Sequence, residues 1–92
     1  MSDKMLLRIT RSFRRGILGK NSSDMMCAVV CYPLHSLLHL MGEDLTCVEV
    51  LLKTKNHVFL RLSDGRILDP TADQFDGPPV YLGSPQWFHR AS

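Results

Sequence analysis

The feature that most constrains the fold is an apolar run over residues 25–41, preceded directly by the polar sequence NSSD at 21–24. Asn, Ser and Asp are preferred at helix N-caps, so the pattern predicts a helix that begins after Asp24. Apolar residues occupy most of its circumference, which is typical of a buried central helix. Pro33 lies inside the run and removes one backbone donor, so we expect a kink or a break near it.

Apolar residues also recur at helical spacing between arginines over residues 4–15, which predicts an amphipathic helix. We assign residues 1–19 to this basic helix and expect Gly16 and Gly19 to end or loosen it. Its cationic side chains form either a solvated helix face or a patch for a phosphate or an acidic partner.

Three short segments rich in β-branched and aromatic residues follow the central helix and predict strands. They cover residues 46–52, 57–62 and 66–69. Short turns between them predict an antiparallel meander, and Pro70 should end the third strand or place it at a sheet edge. The expected fold class is therefore α+β, with the N-terminal helix and the central, cysteine-bearing helix packed on a small antiparallel sheet.

The length of 92 residues suits one domain, and 45% apolar and 22% charged residues are close to globular averages. After the basic helix, we divide the chain into a core over residues 20–75, which holds the candidate catalytic residues, and a docked tail over residues 76–92. A single helical turn is expected at 71–75. Four aromatic side chains either line a substrate groove or attach the tail to the sheet. They are Phe75, Tyr81, Trp87 and Phe88.

Charge and cysteine content bear on partners and location. The formal net charge is +2, so nucleic acid is not an expected partner. No apolar run reaches the roughly 18–20 residues that span a bilayer, and the N-terminus lacks the pattern of a secretory signal peptide. Three cysteines argue against a disulfide framework and favour a reducing, cytoplasmic location. We expect no cofactor, and either a monomer or a homodimer.

Cys27 is the cysteine whose position points to chemistry. If Asp24 is the N-cap, Cys27 is the third residue of the helix, where free N–H groups and the helix dipole favour an anion. A thiol there should have a lowered pKa and act as a nucleophile near neutral pH. The alternative is that Cys27 is a small buried hydrophobic residue, as many free cysteines are.

His57 and Asp69 are the candidates that complete a triad with this thiol. Strand alternation places His57 on the same face as Phe59. A three-residue turn over 63–65, with a left-handed last residue, pairs Phe59 with Asp69. Asp69 then lies diagonal to His57 on one face, with Cβ atoms about 7 Å apart. A two-residue turn instead pairs Asp69 with Leu60 and points it away from His57.

Metal-ligating residue types recur at every fourth position of the central helix. They are Cys27, Cys31, His35 and His39. Such a stripe drifts about 40° per step, so the four cannot meet one tetrahedral ion on a straight helix. His35 and His39 alone would make a weak site. We therefore expect a packed helix face with two half-exposed histidines rather than a metal site.

In these residues the chain resembles the papain-like superfamily, which includes transglutaminase-like cysteine enzymes, and in particular its small bacterial and phage members. The likeness covers about residues 20–85, at 21–23, 27, 34, 38, 42, 56–59, 64–75 and 79–83. The run DPTADQF at 69–75 is its most specific part.

This resemblance implies that Cys27 is the nucleophile, His57 the base and Asp69 the acid that orients it. Asn21 stands where papain-type members carry a glutamine, six residues before the cysteine. It is thus implied to be an oxyanion donor, although a loop or capping role is the alternative. The residues expected to lie around the triad are Cys31, Asn56 and Gln74.

The implied chemistry is acyl transfer on an amide of a protein or peptide substrate. It comprises peptide or isopeptide cleavage, deamidation of a glutamine side chain, and transamidation. The alternative is a non-catalytic phage or bacterial protein that uses the same fold to bind and inhibit a host protein.

Overall fold

Two helices packed on a four-stranded antiparallel sheet make up the fold, in a computed structural model that describes residues 1–91. The helices are α1 (Asp3–Leu18) and α2 (Cys27–Leu40). The strands are β1 (Leu45–Leu51), β2 (Asn56–Leu62), β3 (Ile67–Asp69) and β4 (Tyr81–Gly83), and 3-10 turns cover Ala72–Phe75 and Trp87–His89. The predicted α+β class, the helical turn after β3 and the end of β3 before Pro70 are confirmed. No helix in the described part of the chain is long and apolar enough to cross a membrane.

The predicted amphipathic helix is present as α1 and lies within the assigned residues 1–19. Ser2 caps it by accepting a hydrogen bond from the Met5 N–H at 3.2 Å. The helix continues through Gly16, contrary to the prediction, because the buried Leu18 offsets the cost of about 1 kcal/mol that a helical glycine carries. The helix ends at Gly19, whose φ of 57° is one that residues other than glycine rarely adopt.

The central helix α2 begins later than predicted. Asp24 is not its N-cap; the cap position belongs to Met26, which makes no side-chain hydrogen bond there. Met25 has a φ of 62°, in the left-handed region, and so interrupts helical geometry between Asp24 and Cys27. Cys27 is therefore the first residue of the helix and not the third.

The helix α2 passes through Pro33 without the predicted break. Proline leaves the carbonyl of Val29 without its usual partner, but both residues are exposed, so water can take that place. Packing on either side of the proline also holds the helix together. Its buried residues are Cys27, Val30, Cys31, Leu34 and Leu38.

The turn between β2 and β3 sets the register that the site needs. The Leu62 N–H donates to the carbonyl of Arg66 at 2.8 Å, which closes a three-residue loop, and Gly65 ends that loop with a φ of 91°. The observed β2–β3 pairs continue to a register in which Asp69 lies level with Phe59. The three-residue alternative is thus confirmed, and the two-residue alternative is wrong.

The tail contributes a fourth strand, which the sequence pattern did not predict. β4 pairs with β3, and Tyr81 lies opposite Asp69. Without β4, β3 would present unpaired N–H and C=O groups at a sheet edge. Phe88 attaches the tail by burial, whereas Trp87 is 65% exposed. The predicted tail extends to Ser92, which lies outside the described residues.

Both faces of β2 are covered, and polar groups can therefore be buried there. On the helix side, Val58 packs against Cys27, and Leu60 belongs to the main core. The main core joins Leu6, Leu34, Leu38, Leu45, Leu60, Leu68 and Val80. On the opposite side, aromatic rings of the two 3-10 turns pack against His57 and Phe59.

Candidate active site

His57 and Asp69 form a buried pair on the sheet. The His57 Nε2 lies 2.6 Å from the Asp69 Oδ2, and neither side chain is exposed to solvent. The second carboxylate oxygen, Oδ1, accepts a hydrogen bond from the Thr71 N–H at 3.0 Å. The diagonal placement predicted from the three-residue turn therefore brings imidazole and carboxylate into direct contact.

His89 is a third member of this group, and the sequence analysis missed it. Its Nε2 lies 2.8 Å from the same Asp69 Oδ2, and its Nδ1 accepts a hydrogen bond from the Gln86 N–H at 2.9 Å. Since Nδ1 accepts, the neutral ring carries its proton on Nε2 and donates it to Asp69. The only local signal is the spacing of Gln86 and His89, which cap the second 3-10 turn reciprocally.

The burial of Asp69 is compensated by these donors. Burial alone would raise the pKa of its carboxyl, but hydrogen bonds from His57 and His89, the positive charge of His57 and the Thr71 N–H together hold that pKa below its usual value. Asp69 is therefore an ionised carboxylate near neutral pH, and its Oδ2 requires a proton on the facing nitrogen of each imidazole.

His57 has one nitrogen free for chemistry. Its Nε2 is committed to Asp69, while its buried Nδ1 has no hydrogen-bond partner among residues 1–91. Burial lowers the pKa of the ring, but the hydrogen bond to Asp69 and the interaction with the Cys27 thiol outweigh this and raise the pKa to about 9. The Phe75 ring packs edge-on against the imidazole, with centroids 4.7 Å apart, and helps to fix its plane.

Cys27 approaches this imidazole from the N-terminus of α2. Burial raises the pKa of its thiol, but His57 and the N–H groups of Val58 and Ala28 more than offset this, so that the pKa is lowered overall. The thiol and the His57 ring are near enough for this effect but do not form a regular hydrogen bond in the described residues. Cys27 is also 9% exposed, so the residue is largely buried.

Two of the other predicted residues have no demonstrated link to Cys27. Asn21 is exposed, and its side chain makes no hydrogen bond with any residue from 1 to 91; its N–H donates to the carbonyl of Leu18. Asn56 is exposed at the start of β2, next to His57. The oxyanion role of Asn21 therefore stays a prediction.

Cys31 and Gln74 lie deeper. Cys31 is fully buried and donates from its sulfur to the carbonyl of Val58 at 3.3 Å, and burial strongly raises the pKa of its thiol. These contacts suit a packing role next to Cys27. Gln74 has a buried side-chain nitrogen with no hydrogen-bond partner in the described residues, which is an unusual state for an amide donor.

A polar network fixes the loop that leads to Cys27. The Arg14 guanidinium donates to the carbonyls of Pro70 and Pro79 at 3.0 and 2.6 Å, and to the Asp73 carboxylate at 2.8 Å. The Ser23 hydroxyl donates to the same carboxylate at 2.6 Å. Arg14 was expected in a solvated face or an anion-binding patch, but it instead joins α1, the pre-α2 loop and the segment after β3.

A second contact crosses between the same two regions of the site. The Lys55 ammonium lies 3.5 Å from the Asp24 carboxylate and 4.9 Å from the centroid of the Phe75 ring. Asp24 precedes Cys27 and Lys55 precedes His57. This contact therefore spans the loops that carry the candidate nucleophile and base.

The group formed by His57, Asp69 and His89 also has the composition of a metal site. Its ligand atoms lie within 4.8 Å of one another, and it is the one such group of three in residues 1–91. A metal on the His89 Nε2 would place the ring proton on Nδ1, which faces the Gln86 N–H donor. The donor set therefore fits a hydrogen-bonded group better than a metal centre.

The helical stripe does not gather around an ion either. His35 is half-buried, with its Nε2 2.9 Å from the Leu45 carbonyl oxygen, and it stacks on His39. Cys31 donates to the carbonyl of Val58. These contacts agree with the expected packed helix face.

No protein-family model, curated protein or solved structure matches the chain. The fold and the His57–Asp69–His89 group are therefore described from the structure alone, and the likeness to papain-like enzymes stays a prediction.

Proposed function

We propose that this protein is a cysteine hydrolase or acyltransferase that acts on an amide, with Cys27 as nucleophile, His57 as proton carrier and Asp69 as the group that orients His57. The observation that carries the proposal is the state of His57. Asp69 holds its Nε2 at 2.6 Å, and its buried Nδ1 is left free beside a thiol whose pKa is lowered.

The first half of the reaction makes a thioester. The Cys27 thiolate attacks the carbonyl carbon of a peptide, isopeptide or glutamine side-chain amide. The negative oxygen that forms is stabilised by backbone N–H groups at the start of α2, which have no partners within the helix. The His57 Nδ1–H then protonates the departing nitrogen, the C–N bond breaks, and the acyl group remains on sulfur.

The second half releases the acyl group. Water or another amine gives a proton to the His57 Nδ1 and attacks the thioester, and Cys27 leaves as a thiolate. Water as acceptor gives hydrolysis or deamidation, and an amine gives transamidation. The raised pKa of His57, about 9, suits this role because the imidazolium form is available as an acid near neutral pH.

A second candidate function is a non-catalytic module that binds and inhibits a host protein. The limited exposure of Cys27, 9%, and the absence of a regular Cys27–His57 hydrogen bond favour this alternative. A binding module does not require a reactive thiol at this position, so reactivity separates the two candidates.

The deciding measurement is the pH dependence of iodoacetamide alkylation at each cysteine, followed by mass spectrometry in the wild type and in His57→Ala. An enzyme requires a Cys27 pKa below the usual value of about 8.5 that rises when His57 is removed. Cys47 is the internal control, since burial raises the pKa of its thiol. A Cys27 that reacts no faster than Cys47, in both proteins, would overturn the enzyme proposal in favour of the binding module.

A further inference from the structure

A groove of about 420 Å³ opens beside the candidate active site. Its lining includes Leu52, Lys53, Lys55, Gln74, Phe75 and Trp87. Phe75 connects the groove to the site, because its ring packs against both the His57 ring, with centroids 4.7 Å apart, and the Trp87 ring, with centroids 5.5 Å apart. A molecule in the groove would therefore contact the ring that packs against the proton carrier.

The rim of the groove exposes an unusual aromatic side chain. Trp87 is 65% exposed although the neighbouring Phe88 is buried, and it stands perpendicular to the Phe75 ring. Exposed large apolar side chains that line a concavity commonly mark a binding surface. The two perpendicular rings offer one face and one edge to an apolar side chain of a ligand.

One residue of the groove lining, Gln74, carries a donor without an acceptor. The Gln74 side-chain nitrogen is buried and has no hydrogen-bond partner in the described residues, yet Gln74 lines the groove. An unsatisfied buried amide donor costs about 1–3 kcal/mol, so a ligand that supplies an acceptor removes a penalty as well as adding a contact. A backbone carbonyl of an extended peptide is such an acceptor.

The charge of the groove is positive. Lys55 is partly neutralised by Asp24, whereas Lys53 is exposed and has no ion-pair partner among residues 1–91. A carboxylate in the ligand therefore meets an unopposed cation at this rim.

We propose that this groove is the substrate-binding site of the enzyme and that it takes an extended peptide segment with a large apolar or aromatic side chain next to an acidic residue. The apolar side chain lies between Phe75 and Trp87, a backbone carbonyl accepts from Gln74, and the carboxylate lies near Lys53. This inference rests on the proposed function, because it concerns the substrate of the same site.

The test compares four reagents that carry the same iodoacetyl group. They are iodoacetamide, iodoacetyl-Phe-Asp-amide, iodoacetyl-Gly-Asp-amide and iodoacetyl-Phe-Lys-amide. We expect the Phe-Asp reagent to alkylate Cys27 with a saturable rate at least about tenfold above that of iodoacetamide, which corresponds to burial of one apolar side chain. The Gly-Asp reagent should lose most of this gain, and the Phe-Lys reagent should lose part of it.

Substitutions locate the effect. Trp87→Ala should reduce the gain of the Phe-Asp reagent about tenfold, where the gain is the ratio of its rate to that of iodoacetamide in the same variant. Tyr32→Ala is the matched control, because Tyr32 is also an exposed aromatic residue but lies on α2 and does not line the groove. Lys53→Glu should reverse the preference between the Asp and Lys reagents without removing an apolar contact.

Each outcome has one meaning. If iodoacetamide reacts with Cys27 in a His57-dependent way but the Phe-Asp reagent is no faster in the wild type, the groove proposal is overturned and the enzyme proposal stands. If iodoacetamide itself reacts with Cys27 no faster than with Cys47, both proposals fail together. A gain that survives both Trp87→Ala and Lys53→Glu also overturns the groove as its source.

Discussion

His89 donates to the same carboxylate oxygen of Asp69 that His57 engages, at 2.8 Å and 2.6 Å respectively. The Gln86 N–H fixes the His89 tautomer, so that His89 is a neutral donor and does not compete with His57 as a proton carrier. The two histidines of this buried group therefore have different roles. His89 holds the carboxylate in place, and His57 is left with a single free nitrogen on the side of the thiol.

Removal of His89 should therefore destabilise the fold. In His89→Phe the ring volume is largely kept, but the Asp69 Oδ2 loses one donor and the Gln86 N–H loses its acceptor. We expect the free energy of unfolding at pH 7, measured with urea, to fall by about 1–3 kcal/mol. The same substitution at the exposed His39 should change it by less than about 0.5 kcal/mol. Equal stability of the two variants would mean that the His89–Asp69 contact contributes nothing in solution.

Asp69→Asn tests the orienting role without removing volume. The amide no longer offers a negative charge to His57, so the pKa of the imidazole should fall from about 9, and the pKa of the Cys27 thiol should rise with it. Because a shift of one unit changes the thiolate fraction about tenfold, alkylation of Cys27 at pH 7 should slow at least about tenfold. Asp44→Asn, at an exposed site, is the control and should leave the rate unchanged. An unaltered rate in Asp69→Asn would separate Asp69 from the reactivity of the thiol.

The pH dependence of stability follows from the His57–Asp69 pair. The pKa of His57 is raised from 6.5 to about 9 in the folded protein, so the folded state favours the protonated ring. This contribution is fully present below pH 6.5 and is lost as the pH rises through about 9. In Cys27→Ala no Cys27 thiol titrates in the same range, and the pKa of His57 is still raised by Asp69 but no longer by Cys27. We therefore expect urea unfolding of this variant to show stability that falls as the pH rises above 6.5, over a narrower interval than in the wild type. The double variant Cys27→Ala/His57→Gln should lose that slope, whereas a stability that rises with pH in the single variant would contradict the assignment.

Gly65 in the β2–β3 turn and Gly16 in α1 provide a matched pair of glycine substitutions. Gly65 has a φ of 91°, so Gly65→Ala introduces strain although an added Cβ meets nothing within 4 Å, and we expect a loss of about 1–2 kcal/mol. Gly16 lies in α1 with equally open space, so Gly16→Ala should gain about 0.5–1 kcal/mol. Urea unfolding measures both changes. A tolerated Gly65→Ala would show that another loop geometry holds the register that places Asp69 beside His57.

Local patterns were sufficient for the parts of the site that depend on sequence-adjacent geometry. The His57–Asp69 contact was predicted from the period of two along β2, for the case in which Ser63-Asp64-Gly65 forms a three-residue turn. The start of α2 was predicted too early because nothing in the sequence around Asp24 indicates that Met25 adopts a positive φ.

The residues that were missed depend on contacts far apart in the chain. His89 meets Asp69 across 20 residues, and Arg14 meets Asp73 across 59. Neither contact has a periodic pattern, because each follows from the packing of whole elements rather than from one helix or strand. β4 was missed for the same reason, since its three residues resemble a loop until the edge of β3 is there to pair with them.

Arg14 provides the last prediction, because its network joins the loop before Cys27 to the segment after Asp69. In Arg14→Gln the two proline carbonyls and the Asp73 carboxylate lose their charged donor, so we expect the free energy of unfolding to fall by about 1–3 kcal/mol. Arg11→Gln is the matched control on the same helix, since Arg11 is exposed and makes no ion pair within residues 1–91, and it should change stability by less than about 0.5 kcal/mol. The loosened loop should also slow alkylation of Cys27 in Arg14→Gln under conditions where the protein remains folded. If stability falls but the alkylation rate is unchanged, the network supports the fold and does not position the thiol.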